Sequence, residues 1–78
     1  MSKITMYGTT TCGDCILAKQ VFAENDIDYD YVDITQSDEA TKKAIELNNG
    51  VRRIPVIVFG DQTILVEPNR EQLLAKIN

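Results

Sequence analysis

The sequence predicts an α/β fold with the element order β-α-β-α-β-β-α, in which a four-stranded mixed sheet is flanked by helices. Near the start of the chain, a segment with helical apolar spacing lies between two short alternating segments, which is typical of a parallel βαβ unit. Further on, two short apolar segments are separated only by Gly60-Asp61-Gln62, which indicates an antiparallel hairpin. Because the chain has 78 residues and 44% of them are hydrophobic, we expect one compact domain over residues 1–78.

The first predicted strand leads directly into the first predicted helix. Residues Ile4–Tyr7, beside Lys3, are β-prone, and the strand should end at Gly8. The helix should cover Cys12–Asn25, and the second strand should cover Tyr29–Ile34, where alternation returns. The apolar residues at helical spacing in this first helix are Ile16, Leu17, Val21 and Phe22.

A second helix is predicted over Asp38–Asn48. Thr35 or Ser37 could cap its start, and Gly50 is a plausible stop after its end. Its apolar members are Ala40, Ala44, Ile45 and Leu47.

The last part of the chain should form the hairpin and a third helix. The hairpin strands are predicted over Val56–Phe59 and Thr63–Val66. Pro68 precedes the helix, which Asn69 could cap with Gln72 at its third position. The core-facing residues of this helix should be Leu73, Leu74 and Ile77.

The charge of the chain argues against several kinds of partner. Eight basic and twelve acidic residues give a net charge of −4, which opposes binding to a nucleic-acid backbone. The longest apolar run, Ile54–Phe59, is too short to span a membrane, and the first fifteen residues lack a secretory signal pattern. We therefore expect a cytoplasmic protein with no nucleic-acid or membrane partner, and a monomer.

Cys12 and Cys15 carry the chemistry that the sequence predicts. Thr11, with Asp14 three residues later, resembles a capping box, so Cys12 should lie in the first turn of the helix. There its sulfur faces unpaired backbone N–H groups and the positive end of the helix dipole, which favours the thiolate. Cys15 lies one turn further on the same side and can displace whatever Cys12 has captured. The pair therefore predicts dithiol redox chemistry with both residues catalytic.

The cysteine pair has three other possible interpretations besides redox chemistry. A static disulfide would close a very small loop and so would stabilise the fold little. A structural zinc site needs four ligands, but the chain has no His and no third Cys, so no metal is expected unless two chains share it. The third interpretation is a pair of buried, inert thiols.

Two motifs together resemble the glutaredoxins of the thioredoxin superfamily over essentially the whole chain. The first is Thr10-Thr11-Cys12-Gly13-Asp14-Cys15, and the second is Arg52-Arg53-Ile54-Pro55-Val56. The resemblance implies a thioredoxin-like fold and a small thiol-disulfide oxidoreductase without a bound cofactor. It also implies that Pro55 follows a cis bond beside the cysteines and that Ile54 offers its backbone to a thiol substrate.

Within that superfamily, the segment before the third predicted helix distinguishes the subgroups. Redoxins that take electrons from thioredoxin reductase and serve ribonucleotide reductase carry an aromatic residue and an Arg-Pro motif there, and glutathione-specific members carry Gly-Gly and paired Asp. Here the residues are Leu65-Val66-Glu67-Pro68-Asn69, followed by Arg70, a pattern most similar to mycoredoxins, which reduce mixed disulfides of mycothiol.

The resemblance also defines the expected partners of the protein. Disulfide-containing proteins are the expected substrates. A low-molecular-weight thiol (glutathione, mycothiol or bacillithiol) or a flavoprotein reductase should supply electrons. Arg52, Arg53 and Arg70 flank the expected thiol groove and could bind substrate carboxylates. The alternative functions are a redoxin reduced by thioredoxin reductase that serves ribonucleotide reductase, and a module whose Cys12 holds an iron–sulfur cluster with a second chain.

Overall fold

A computed structural model describes residues 4–77, in which seven regular elements follow the predicted order. They are β1 (Thr5–Gly8), α1 (Gly13–Glu24), β2 (Asp30–Asp33), α2 (Asp38–Leu47), β3 (Val56–Val58), β4 (Ile64–Val66) and α3 (Arg70–Ile77). A short 3₁₀ helix, Ile34–Gln36, connects β2 to α2. Lys3, expected beside the first strand, lies outside the described residues.

The four strands form one mixed sheet, as predicted, and their order in the sheet is β2-β1-β3-β4. Strand β1 pairs with β2 in parallel and with β3 antiparallel, and β4 returns antiparallel to β3. In this register Tyr7 lies opposite Val56, and Val56 lies opposite Val66. The carboxyl ends of β1, β2 and β4 therefore meet the start of β3 at one end of the sheet.

Helices cover both faces of the sheet, and each face has its own apolar cluster. The larger cluster joins the sheet to α1 and α3, and its buried members are Ile4, Met6, Ala18, Val21, Phe22, Ile57, Phe59 and Leu73. The smaller one lies under α2, and its buried members are Ile34, Ala44 and Val56. Strand alternation produces this division, since Met6 points into the first cluster and the adjacent Tyr7 packs against the second.

The first helix begins one residue later than expected, and the predicted capping box at its start is wrong. Cys12 has an extended backbone (φ −81°, ψ 122°) and is itself the N-cap, so the helix starts at Gly13 and Asp14 lies at its second position. The core face also differs: Ile16 is 52% exposed, whereas Ala18 is fully buried.

Predicted capping residues are confirmed at the other two helices. At α3, the Gln72 backbone N–H donates to Asn69 Oδ1 at 2.8 Å, and the Asn69 backbone N–H donates to Gln72 Oε1 at 2.9 Å. This reciprocal pair satisfies two backbone donors that the helix leaves open. At α2, Ser37 is the cap, and its Oγ accepts from the Ala40 backbone N–H at 3.3 Å.

Candidate active site

The strand pairing brings the cysteine segment and the proline segment together. Cys12 follows the carboxyl end of β1, whereas Ile54 and Pro55 immediately precede β3, its antiparallel neighbour. The sulfur of Cys12 lies 3.8 Å from the carbonyl oxygen of Ile54. The Ile54–Pro55 peptide bond is cis, which confirms the expectation from the sequence. Two segments more than forty residues apart thus form one surface.

Cys12 presents its sulfur at the amino end of α1. The backbone N–H of Cys15 points to Cys12 Sγ at 3.4 Å, so the sulfur takes the place that a hydroxyl or carboxylate oxygen has in an ordinary N-cap. Cys12 remains partly exposed, and its thiol is free. The sulfur is therefore reachable from solvent at the end of the helix where backbone N–H groups lack partners within the helix.

Cys15 has the opposite environment. Its side chain is fully buried and its thiol is free. Burial raises the pKa of the Cys15 thiol to about 12, and its contact with Cys12 acts in the same direction. The Thr9 backbone N–H and the Lys19 ammonium lower this pKa, but less than burial raises it. At neutral pH Cys15 is therefore a protonated thiol beneath Cys12.

The space that Cys15 occupies depends on Gly8. A Cβ atom at position 8 would lie 2.5 Å from Cys15 Sγ, closer than two such atoms can pack, and 3.4 Å from Cys15 Cβ. Because Gly8 is the last residue of β1, the strand can pass directly over the buried sulfur. From the sequence alone Gly8 was predicted only to end the strand, so this second role was missed.

Gly8→Ala is expected to destabilise the reduced protein by about 1–3 kcal/mol, because the added methyl group overpacks the site around Cys15. Urea unfolding of the reduced protein measures this loss. Gly13→Ala is the matched control, since a Cβ there meets no atom within 4 Å, and its stability should be unchanged or slightly higher. Equal stability of the two variants would contradict the close contact at Gly8.

Two of the three predicted substrate-binding arginines lie in the segment before the cis proline. Arg52 and Arg53 are exposed. Arg53 forms an ion pair of 3.4 Å with Glu67, whose backbone N–H donates to the Pro55 carbonyl at 3.0 Å. Glu67 therefore joins the segment before α3 to the proline segment, a contact that no local pattern in the sequence indicates. Arg52 forms no ion pair within residues 4–77.

Arg70, the third predicted arginine, lies away from the two cysteines. Its guanidinium donates to Glu24 at 2.7 Å, and this contact lowers the pKa of the Glu24 carboxyl. Glu24 is the last residue of α1, twelve residues after Cys12, or about 18 Å along the helix. The ion pair links α3 to the far end of α1, and the structure does not bring Arg70 together with the cysteines.

Residues 4–77 contain neither a cluster of metal-ligating side chains nor a helix that could span a membrane. Within that range, no group of three or more His, Cys, Asp or Glu side chains is placed to hold a metal ion. None of the helices described there is long and apolar enough to cross a membrane.

Comparison with known proteins places this geometry in a family context. Residues 4–64 match the family model described as glutaredoxin. The chain is 32% identical over 78 residues to mycoredoxin 1 of Corynebacterium glutamicum, covering 99% of this chain and 95% of that protein. It is 33% identical over 58 residues to the glutaredoxin-like protein NrdH of Lactococcus lactis, covering 74% and 78% of the two chains. The fold matches the crystal structure of a glutaredoxin from Archaeoglobus fulgidus with a TM-score of 0.80 and 26% identity, over 100% of this chain and 88% of that chain.

Proposed function

The chain belongs to the glutaredoxin family of thiol-disulfide oxidoreductases, and on that premise we propose that Cys12 is its attacking thiol and Cys15 its resolving thiol. The contrast between the two sulfurs is the observation that carries this assignment. Cys12 is accessible at a helix start and receives a backbone N–H, whereas Cys15 is buried beneath it and protonated. An accessible thiolate can attack a substrate, and a thiol held within reach can attack the resulting adduct.

The proposed reaction has two exchange steps. The Cys12 thiolate attacks one sulfur of a substrate disulfide, a new disulfide forms between Cys12 and that sulfur, and the other substrate sulfur leaves as a thiolate. Cys15 then loses its proton and attacks Cys12 Sγ, so that the second substrate sulfur leaves and takes up a proton. The substrate gains two electrons, and the protein is left with a Cys12–Cys15 disulfide that an external donor must reduce.

The segment before β3 is the proposed substrate surface. The Ile54 carbonyl lies beside Cys12 Sγ, and a peptide-like substrate bound to Cys12 would meet the backbone of Ile54 and the ring of Pro55 there. Arg52 and Arg53 lie next to these residues and could bind carboxylates of the substrate. Arg70 is left out of this surface because its ion pair with Glu24 places it at the far end of α1 from Cys12.

We propose a low-molecular-weight thiol as the electron donor, with mycothiol the first candidate. The similarity to mycoredoxin 1 over nearly the whole of both chains supports this choice. The cations at positions 52 and 53 are also suited to a small thiol that bears carboxylates. Disulfide-containing proteins and mixed disulfides are the proposed substrates.

The similarity to NrdH of Lactococcus lactis favours a second candidate, a redoxin reduced directly by thioredoxin reductase. The two candidates share the chemistry of Cys12 and Cys15 and differ only in the donor. An assay in which only the electron donor is changed can therefore separate the two candidates without altering the protein.

The assay follows NADPH oxidation during reduction of a protein disulfide. With thioredoxin reductase alone we expect negligible turnover. Adding mycothiol and its own reductase should restore turnover, because the thiol can attack the Cys12–Cys15 disulfide from solvent. A parallel run with Cys12→Ser measures the uncatalysed exchange. Rapid turnover with thioredoxin reductase alone would reject the small-thiol donor and select the second candidate.

A further inference from the structure

Lys19 and Tyr31 form a cluster with Cys15 that the proposed exchange steps do not use. Lys19 lies four residues after Cys15 on α1, so the two side chains share one side of the helix. The Lys19 Nζ lies 3.7 Å from the centre of the Tyr31 ring, a cation–π contact. Lys19 forms no ion pair within the residues that the structure describes, and its ammonium group contacts the Tyr31 ring. The pKa of the Asp33 carboxyl is lowered first by hydrogen bonds from Thr35 and further by the nearby Lys19 ammonium group.

The Tyr31 ring extends from β2 toward the buried sulfur. Met6 lies opposite Tyr31 and Gly8 opposite Asp33 in the parallel ladder, so Tyr31 and Asp33 lie on the sheet face that α1 covers. A Cβ at Gly8 would be 2.5 Å from Cys15 Sγ and 3.7 Å from Tyr31 Cε1, so no more than about 6 Å separates the sulfur from the ring edge.

This cluster addresses a problem that burial creates for the resolving step. Cys15 must become a thiolate before it can attack Cys12 Sγ, but burial disfavours the charged form. In the mixed disulfide Cys12 carries no charge, so it no longer raises the pKa of Cys15, but burial still does. A fixed cation near Cys15 then stabilises the thiolate as it forms.

We propose that Lys19, held on the face of Tyr31, is a positioning residue that promotes ionisation of Cys15 in the resolving step. The inference rests on the proposed function, since it assigns Lys19 to the second of the two exchange steps. The proton of Cys15 passes to solvent, Lys19 stays protonated, and the departing substrate thiolate takes up a proton.

The other groups that face Cys15 fit this assignment. Cys12 faces it from the N-cap of α1, the Thr9 backbone N–H from the loop after β1, and Tyr31 from β2, where the Asp33 carboxylate lies near both Tyr31 and Lys19. The Asp33 carboxylate is bound by Thr35, whose backbone N–H and hydroxyl donate at 2.9 Å and 2.6 Å. The Tyr31 hydroxyl is buried without a hydrogen-bond partner among the described residues, and burial raises the pKa of this phenol, so it stays neutral. Lys19 is therefore the cationic side chain of this cluster.

The test uses the symmetric disulfide of thionitrobenzoate, which releases one coloured thiolate at each exchange step. Mixed in excess with the reduced protein, it should give a first phase that depends on its concentration, the attack by Cys12. A second, concentration-independent phase should follow, the attack by Cys15. Both steps are thus measured in one stopped-flow trace.

Lys19→Met should slow the second phase at pH 7 by about tenfold, equivalent to about 1.4 kcal/mol, and leave the first phase unchanged. The rate of the second phase should also continue to rise to a higher pH than in the wild type. Lys19→Arg, which keeps the charge and can stack on the ring, should restore the wild-type second phase. Lys43→Met removes the same charge from exposed α2 and should change neither phase.

Tyr31 provides a second, independent pair of variants. Tyr31→Leu removes the ring that holds Lys19 and should slow the second phase, whereas Tyr31→Phe keeps the ring and should not. An unchanged second phase in Lys19→Met, or equal slowing of both phases, would overturn the role of Lys19. Release of fewer than two thiolates per reduced wild-type protein would instead reject the proposed function itself.

Discussion

Cys12→Ser is expected to have no detectable disulfide-reducing activity while remaining folded. A serine hydroxyl is not ionised at neutral pH and cannot form the mixed disulfide that begins the reaction. Serine is, however, among the preferred N-cap residues. Its Oγ can accept the hydrogen bond that the Cys15 backbone N–H donates to Cys12 Sγ in the wild type. The free energy of unfolding should therefore stay within about 1 kcal/mol of the wild type.

Activity on a mixed disulfide and urea unfolding of the same preparation check both parts of this expectation. Thr11→Ser is the matched control, because Thr11 is exposed, precedes the cap and caps no helix in the structure. It should retain full activity. Substantial activity in Cys12→Ser would mean that Cys15 can attack substrates by itself, which contradicts the division of roles between the two thiols.

Cys15→Ser should divide the substrates into two classes. Mixed disulfides of small thiols should still be reduced at a substantial rate, because a second thiol from solvent can resolve the adduct on Cys12. The variant should lose most of its activity on protein disulfides, because their reduction requires Cys15 to attack the adduct on Cys12. Parallel assays of one small mixed disulfide and one protein disulfide, at equal enzyme concentration, measure this split.

A second variant, Cys15→Ala, controls for the case in which Cys15→Ser loses activity because it misfolds. Cys15 is fully buried, so a serine hydroxyl at this position could remain without a hydrogen-bond partner, at a cost of about 1–3 kcal/mol. Cys15→Ala avoids the new polar group and should give the same substrate split. Equal loss of both activities in two folded variants would show that Cys15 is needed before resolution, which contradicts its assignment.

Most of the secondary structure could be predicted from the sequence, because helix caps and hairpin turns depend on interactions between residues that are close in the chain. The reciprocal cap between Asn69 and Gln72 depends on side chains three residues apart, and it forms as expected. The hairpin likewise depends on a three-residue turn between two apolar segments, and β3 and β4 pair antiparallel as expected. These features need little knowledge of distant residues.

One feature that the sequence did not predict is local: Cys12 was expected inside the helix, but its backbone is extended and its sulfur takes the position of the cap. The others depend on contacts between distant parts of the chain. Arg70 was expected at the thiol groove, but Glu24, forty-six residues earlier in the chain, binds its guanidinium. The tight approach of Gly8 to Cys15 likewise appears only when α1 packs on the sheet.

The most direct test of the central claim is to determine which thiol reacts first. The reduced protein is treated briefly at neutral pH with limiting iodoacetamide, and fragment-ion mass spectrometry locates the modification. We expect carbamidomethylation of Cys12 with Cys15 unmodified, and modification of both residues after unfolding in urea. Modification of Cys15 as fast as Cys12 in the folded protein would contradict the assignment of Cys12 as the attacking thiol and Cys15 as the buried resolving thiol.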